Sequence, residues 1–511
     1  MIIGDEVNLS FPCGGNGNCG KCRIKIIKGT LPVTPADKRL LNESELADGI
    51  RLACQADIPA DVRVKPLWNS EEDIVAVGIP DLPTAETETG KDVPRKSQGI
   101  AHDRGASNCY GAAIDIGTTT IAASLVDLSS GRVLGTVTGI NHQRSFGADV
   151  ISRINAACSG ESEALRTAVT EDINNCIKRL CEEQRADISD IKKIVVSGNT
   201  TMEHILLGYS CEGLGRAPFT AVSTELTEHR ASEILGDIYC ADTVLFALPG
   251  VSVYVGADIL AGICECGMAD SDETMLFIDL GTNGEMAIGN RNRIIAASTA
   301  AGPAFEGGNI SCGIGSIPGA IRTVDIDMNT GGVKLGIIGD RWPVGLCGTG
   351  VVETVCELLG ARIADATGLL DEEYFEDGFE LAEDIFFTQK DIREFQLAKG
   401  AVRAGIEVLA EEYFGTDKKT AIKNIDRLCL AGGFGTYINA DKAACVGLIP
   451  RELAGRTQSI GNTSLKGAIA FLRDEEYAVR LEAARSKCTV VELADSDSFR
   501  VLFLEKMNFY D

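Results

Sequence analysis

Apolar and polar positions alternate over 23–28 and again over 61–65, the two-residue period of a strand, and the spacing over 37–46 suits a short helix. The pattern then stops. Over 79–107, Pro80, Pro83 and Pro94 fall among Thr, Glu, Lys, Asp and Gly with neither period, which predicts a linker. Beyond it the chain reads as an α/β region built twice. Ala113-Ile114-Asp115-Ile116-Gly117-Thr118-Thr119-Thr120 is an apolar run closing on Asp-x-Gly-Thr, and Phe277-Ile278-Asp279-Leu280-Gly281-Thr282-Asn283-Gly284 repeats it. Each leads into a second apolar strand and then a third, near 132–137 and 293–297. Further on, Ser197-Gly198-Asn199-Thr200-Thr201-Met202 is echoed by Ile460-Gly461-Asn462-Thr463-Ser464-Leu465, each opening an apolar helical pattern. The expected units are 1–78, the linker 79–107, a first lobe 108–270 and a second lobe 271–511.

The repeated turns carry chemistry. Glycine lets the backbone approach a phosphate closely, the following N–H groups and hydroxyls donate to its oxygens, and the aspartate can hold Mg²⁺ or its water shell. One Asp-x-Gly-Thr is an ordinary turn, but two in register predict a clamp on one triphosphate. The expected phosphate contacts are Gly117, Thr118, Thr119, Gly281, Thr282 and Asn283. Asp115 and Asp279 are expected to position Mg²⁺ and the attacking water. Glu285 is a candidate base, with a helix-dipole or salt-bridge role as the alternative. A third apolar run, Leu428-Cys429-Leu430-Ala431, enters the double-glycine turn Gly432-Gly433-Phe434-Gly435, so Gly432, Gly433 and Gly435 are expected to lie against a nucleoside.

Cysteine spacing adds a second site. Cys13, Cys19 and Cys22 share one glycine- and asparagine-rich loop, with gaps of five and two residues, and Cys54 follows after a gap of thirty-one. Three close cysteines with a distant fourth is the plant-type [2Fe–2S] layout, although that type has four residues in its first gap. Structural zinc, the alternative, usually shows two Cys-x-x-Cys knuckles, and only Cys19 and Cys22 form one. Twelve residues precede Cys13, too few for the hairpin and helix that a β-grasp ferredoxin normally places before its loop, so either the start at Met1 is too late or a trimmed domain with a more exposed cluster is expected. The other fourteen of the 18 cysteines read mainly as core, with Cys264, Cys266, Cys312 and Cys347 the exceptions to watch. The four histidines show no metal spacing. Many thiols without a signal peptide or transmembrane run predict a cytoplasmic, reduced protein. A formal charge of −26 argues against nucleic acid and anionic membranes as partners.

With these motifs in order, residues 108–511 resemble the superfamily of acetate and sugar kinases, Hsp70 and actin. Asp115 to Thr120, Gly198 to Met202, Asp279 to Glu285, Leu430 to Gly435 and Gly461 to Ala468 stand for its first phosphate, first connecting, second phosphate, adenosine and second connecting motifs. The resemblance implies duplicated actin-like (ribonuclease H-like) lobes with ATP between them, preceded here by a partial β-grasp [2Fe–2S] domain. Adding Val255-Gly256-Ala257-Asp258, Gly302-Pro303-Ala304-Phe305-Glu306-Gly307-Gly308 and Gly345-Leu346-Cys347-Gly348-Thr349-Gly350, the chain resembles the reductive activators of corrinoid enzymes. That resemblance implies ATP-dependent return of Co(II) to Co(I) in a corrinoid protein of a methyltransferase system, an upstream electron donor and a homodimer. It also implies a Co(II)/Co(I) couple below the roughly −400 mV of a plant-type cluster, a shortfall that ATP must offset through conformation. A small-metabolite kinase with a vestigial iron–sulfur domain, or a nucleotide-binding redox sensor, are the alternatives left by sequence.

Overall fold

The computed structural model describes residues 20, 22–56, 62–67, 109–328, 330–339, 341–435, 437–493 and 496–509. Cys13, Cys19 and the linker expected over 79–107 lie outside the described residues.

Near the start, β1 (Arg23–Lys28), β2 (Ile50–Leu52) and β3 (Arg63–Pro66) form an antiparallel sheet in the order β2-β1-β3. The single helix expected over 37–46 is two, Pro35–Leu40 and Glu43–Ala47. Two caps cause the break: Thr34 with Asp37 and Asn42 with Glu45 each complete a capping box, and Leu41 between them is extended. Ile24, Leu31, Leu41 and Leu52 fill this unit's own small core.

The first lobe comprises β4 (Tyr110–Ile116), β5 (Thr120–Asp127), β6 (Arg132–Ile140), β7 (Ile191–Gly198), β8 (Thr227–Arg230) and β9 (Val244–Ala247), ordered β6-β5-β4-β7-β9-β8. The meander β4 to β6 is antiparallel, while β7 and β9 add parallel strands after helical crossovers. The second lobe opens with β10 (Met275–Leu280), β11 (Gly284–Gly289) and β12 (Ile294–Thr299). It then inserts β13 (Ala320–Ile326), β14 (Val333–Ile337) and β15 (Gly345–Leu346), and a hairpin of β16 (Phe379–Ala382) and β17 (Ile385–Phe387). β18 (Arg427–Ala431), β19 (Thr457–Gly461) and the edge strand β20 (Cys488–Val490) complete the order β19-β18-β10-β11-β12-β20.

This topology corrects the alignment of the two halves. β7 lies directly beside β4 as β18 lies beside β10, and β9 and β19 come one place further out. The turn after β7 is therefore equivalent to the double-glycine turn after β18, not to Gly461-Asn462-Thr463. The counterpart of helix Thr463–Arg473 is helix Ala257–Glu265, so the first connecting element lies at Gly256, not over 198–202. Both Asn199 and Asn462 cap helices, and that shared local need explains the similar words at non-equivalent places.

Strand parity decides which side chains reach the space between the lobes. Along β4, Ala112, Ile114 and Ile116 enter the outer core beneath helix Ser162–Gln184, and Ala113 enters the core between the sheets. Along β10, Leu276, Ile278 and Leu280 face outward while Met275 and Phe277 face inward. Asp115 and Asp279 share the parity of Ala113 and Phe277, so both project toward the space between the lobes from the ends of the two central strands.

Candidate nucleotide site and cysteine pair

The two Asp-x-Gly-Thr turns close on themselves: Gly117 N–H donates to the Thr120 carbonyl at 2.9 Å, and Gly281 N–H to the Asn283 carbonyl at 3.2 Å. A Cβ at residue 117 would lie 2.7 Å from the Thr120 carbonyl oxygen, so this turn requires glycine. Asn141 Nδ2 donates to the Gly117 carbonyl at 2.8 Å, and Arg153, buried, donates to the Thr118 carbonyl at 2.5 Å. Desolvation lowers the Arg153 guanidinium to about 10.

Groups from both lobes meet here. Asn462 Nδ2 and Ser464 Oγ each donate to the Asp115 carboxylate at 2.7 Å, so the start of a second-lobe helix grips the first-lobe aspartate. Thr119 of the first lobe and Thr282 of the second both donate to Glu306 Oε2, at 2.5 and 3.0 Å. Asn199 Nδ2 donates to Thr118 Oγ1 at 3.3 Å. On the adenosine side Gly432 has φ +85, and a Cβ there would lie 2.5 Å from Asp279 Oδ1. Gly433 faces open space, Gly435 packs over Leu430, and Phe434 stacks on Phe305 with ring centroids 5.2 Å apart.

The site concentrates negative charge. Burial pushes Asp279 up to about 8, with Asp258, Asp115 and Glu306 adding to the rise. Burial and then Asp115 push Asp258 to about 7. Burial also raises Asp115 against the hydrogen bonds of Ser464 and Asn462 that favour its charged form. Glu285, on β11 opposite Asp279, is raised well above the carboxylate range by burial, Asp258 and Asp279. It lies on a strand, so the helix-dipole alternative does not hold. Glu203 is raised likewise by burial and Asp258, and its Oε1 is buried without a hydrogen-bond partner. Asp258, Glu203, Glu306 and the Asn462–Ser464 grip were not singled out as site residues from sequence. The glycines flanking Asp258 and Glu306 were the available signal.

The cluster suits a divalent cation, whose charge would let these carboxyls ionise. Among the described residues no three His, Cys, Asp or Glu side chains approach closely enough to cage a metal. That fits Mg²⁺, which usually takes one or two carboxylates, with waters and substrate phosphates completing its shell.

The cysteine site is partly in view. Cys22, buried, and Cys54 are brought together from distant sequence: the Cys54 N–H donates to Cys22 Sγ at 3.5 Å. Such N–H···S contacts are what a cluster-ligating thiolate requires. Eight of the other fourteen cysteines are buried, Cys264, Cys266 and Cys347 among them. His204 has both ring nitrogens occupied, by the Thr200 carbonyl at 2.8 Å and the Val222 N–H at 3.0 Å, and His142 pairs with Asp172. No helix among the described residues is long and apolar enough to cross a membrane.

Fold and site together define a duplicated actin-like ATPase carrying an iron–sulfur domain. Family models agree: a 2Fe-2S iron-sulfur cluster binding domain matches 4–58, the RACo middle region 110–271, and the C-terminal domain of RACo, the ASKHA domain, 273–511. The chain is 33% identical over 430 residues to the corrinoid activation enzyme RamQ of Eubacterium limosum, covering 79% of this chain and 70% of that one. It is 28% identical over 432 residues to the Co(II) methylated amine-specific corrinoid protein reductase of Methanosarcina barkeri, covering 78% and 77%. A solved reductive activator for corrinoid, iron–sulfur protein superposes with a TM-score of 0.73 at 31% identity, over 98% of this chain and 94% of that one. The chain belongs to the family of reductive activators of corrinoid proteins. Membership sets aside the kinase and sensor readings.

Proposed function

We propose that this protein uses ATP to drive one-electron reduction of a partner-bound corrinoid from Co(II) to Co(I), restoring it for methyl transfer. The carrying observation is the nucleotide site built from both lobes, with Asn462 and Ser464 holding Asp115, on a chain that also bears a [2Fe–2S] domain. ATP hydrolysis needs an oriented water and neutralised phosphate charge more than a covalent intermediate. Thr118, Thr119, Thr282 and Asn283 donate to phosphate oxygens, Asp115 and Asp279 orient the attacking water, and Gly432, Gly433 and Gly435 receive the nucleoside. Mg²⁺ would be held by Asp115 and Asp279 and supplies charge neutralisation there. The cluster would be held by Cys13, Cys19, Cys22 and Cys54 and supplies one-electron chemistry when bound. The partners are a corrinoid protein of a methyltransferase system and an upstream electron donor; the cytoplasmic setting rests on thiol content, and the homodimer on family resemblance.

The lobes give ATP a way to act on an uphill transfer. Nucleotide that draws the two turns together changes the surface offered to the partner, and only a difference in partner affinity between open and closed forms can shift its equilibrium. Anaerobic mixing with a Co(II) corrinoid protein and a reductant should give Co(I) absorbance that requires MgATP. Equal reduction without nucleotide, or none with a fully loaded cluster, would overturn the proposal.

A further inference from the structure

Glu306 holds a place that the site's chemistry reserves for phosphate. Its Oε2 accepts from Thr119 of the first turn and from Thr282 of the second, and its Oε1 lies 3.3 Å from where a Cβ on Gly281 would stand. Two hydroxyls from opposite lobes converging on one anionic oxygen is the arrangement a terminal phosphate oxygen would receive. The carboxylate also adds to the rise in Asp279, and Arg153 is the cation whose charged form it supports.

Its position is set by a tight turn. Pro303–Glu306 is one 3₁₀ turn between Gly302 at φ +78 and Gly307 at φ +75. A Cβ on Gly307 would lie 2.4 Å from the Ile314 carbonyl oxygen, and one on Gly308 2.4 Å from Pro303 Cβ. The preceding residue, Phe305, stacks on Phe434 of the adenosine turn. The turn that presents the carboxylate therefore touches both ends of the nucleotide site.

We propose that Glu306 is a positioning residue that occupies the terminal-phosphate position when nucleotide is absent, bridging the two lobes through Thr119 and Thr282, and that ATP binds by displacing it. This rests on the ATP reading of the site and deepens it. The carboxylate competes for the hydroxyls that the incoming phosphate needs, and its charge opposes that phosphate. The competition is confined to the terminal phosphate, since nothing in its contacts touches the nucleoside pocket except through Phe305. The two hydroxyls would pass from one anion to the other, and the freed carboxylate would be left beside the phosphate turns.

The test is equilibrium binding of ATP and of AMP, each with Mg²⁺, to the full chain and to Glu306→Gln and Glu306→Asp. The amide keeps the shape and loses the charge; the shorter acid keeps the charge and loses the reach. Both should bind ATP at least fivefold more tightly than the parent and leave AMP affinity within twofold. ATP affinity unchanged or weakened, or AMP tightened equally, overturns the displacement role. Failure of the parent to bind any adenine nucleotide would sink the ATP reading with it. Unfolding midpoints of both variants within a few degrees of the parent keep a folding defect from imitating either result.

Discussion

Asp279 carries two opposed demands. In the proposed role it must be charged to organise a cation and water, yet it sits on the inward face of β10 among Asp115, Asp258 and Glu306, where charge is disfavoured. Asn at this position should lower MgATP hydrolysis by roughly 10²- to 10³-fold, the scale of losing one preorganised electrostatic group. It should not lower stability, because the amide, like the carboxyl that burial keeps protonated to about 8, places no charge in the buried site. The sign follows from proton binding: the folded protein keeps protons on Asp258 to about 7 and on Asp279 to about 8, whereas the unfolded chain releases them near 3.8. Between those values the folded state binds more protons, so nucleotide-free stability falls as pH rises and levels off above about 8. Melting of the nucleotide-free protein should therefore begin at a higher temperature at pH 6 than at pH 8, and Asp279→Asn should flatten that slope. A parent whose stability stays level over this interval would show that the carboxyls are already ionised.

The element that connects the site to the rest of the molecule is the crossing of helices Ala257–Glu265 and Thr463–Arg473. Each begins at the nucleotide site, with Asp258 in the first turn of one and Ser464 in the first turn of the other. They cross closely because Gly467 faces Ala261: a Cβ on residue 467 would lie 2.5 Å from the Ala261 Cβ and 3.0 Å from the Tyr477 hydroxyl. Gly467→Val must push the helices apart. A cost of about 1–3 kcal/mol in stability is expected from such overpacking. Because the same helix carries Asn462 and Ser464, the KM for ATP should rise as well, and steady-state kinetics beside thermal melting would separate this from simple destabilisation. An unchanged KM would mean that the crossing does not set the site. This crossing was half legible in the sequence. The Asp-x-Gly-Thr repeats placed the two central strands and their aspartates, since a strand end, a glycine turn and hydroxyls are all local. The equivalence of the connecting helices was not legible. Asn-capped starts at Gly198-Asn199 and Gly461-Asn462 look alike for a reason confined to one helix turn, whereas true equivalence depends on which strands pair far apart in sequence, Tyr110 with Ile191 in the first lobe and Met275 with Arg427 in the second. Asp258 and Glu306 were hidden for the same reason: each stands in a quoted motif, but only folding brings it to Asp279.

At the scale of the whole molecule, electron supply and energy supply sit in separate cores. Cys22 and Cys54 belong to the small unit around Ile24 and Leu52, while the nucleotide site is framed by the outer cores of the lobes and the core between them. A plant-type cluster lies near −400 mV, and each ~59 mV of shortfall in a one-electron step costs about 1.4 kcal/mol. ATP can meet that cost only by favouring one conformation of the lobes, and that conformational work does not need the thiols. Cys54→Ser should therefore separate the two functions. Its reduced protein should lose the electron paramagnetic resonance signal of the [2Fe–2S] cluster and all Co(I) formation, while MgATP hydrolysis stays within about twofold of the parent. If hydrolysis fell together with the signal, the cluster unit would be regulating the lobes directly. The separation of cores argues against that, because neither Cys22 nor Cys54 packs into any of the three cores that frame the nucleotide site.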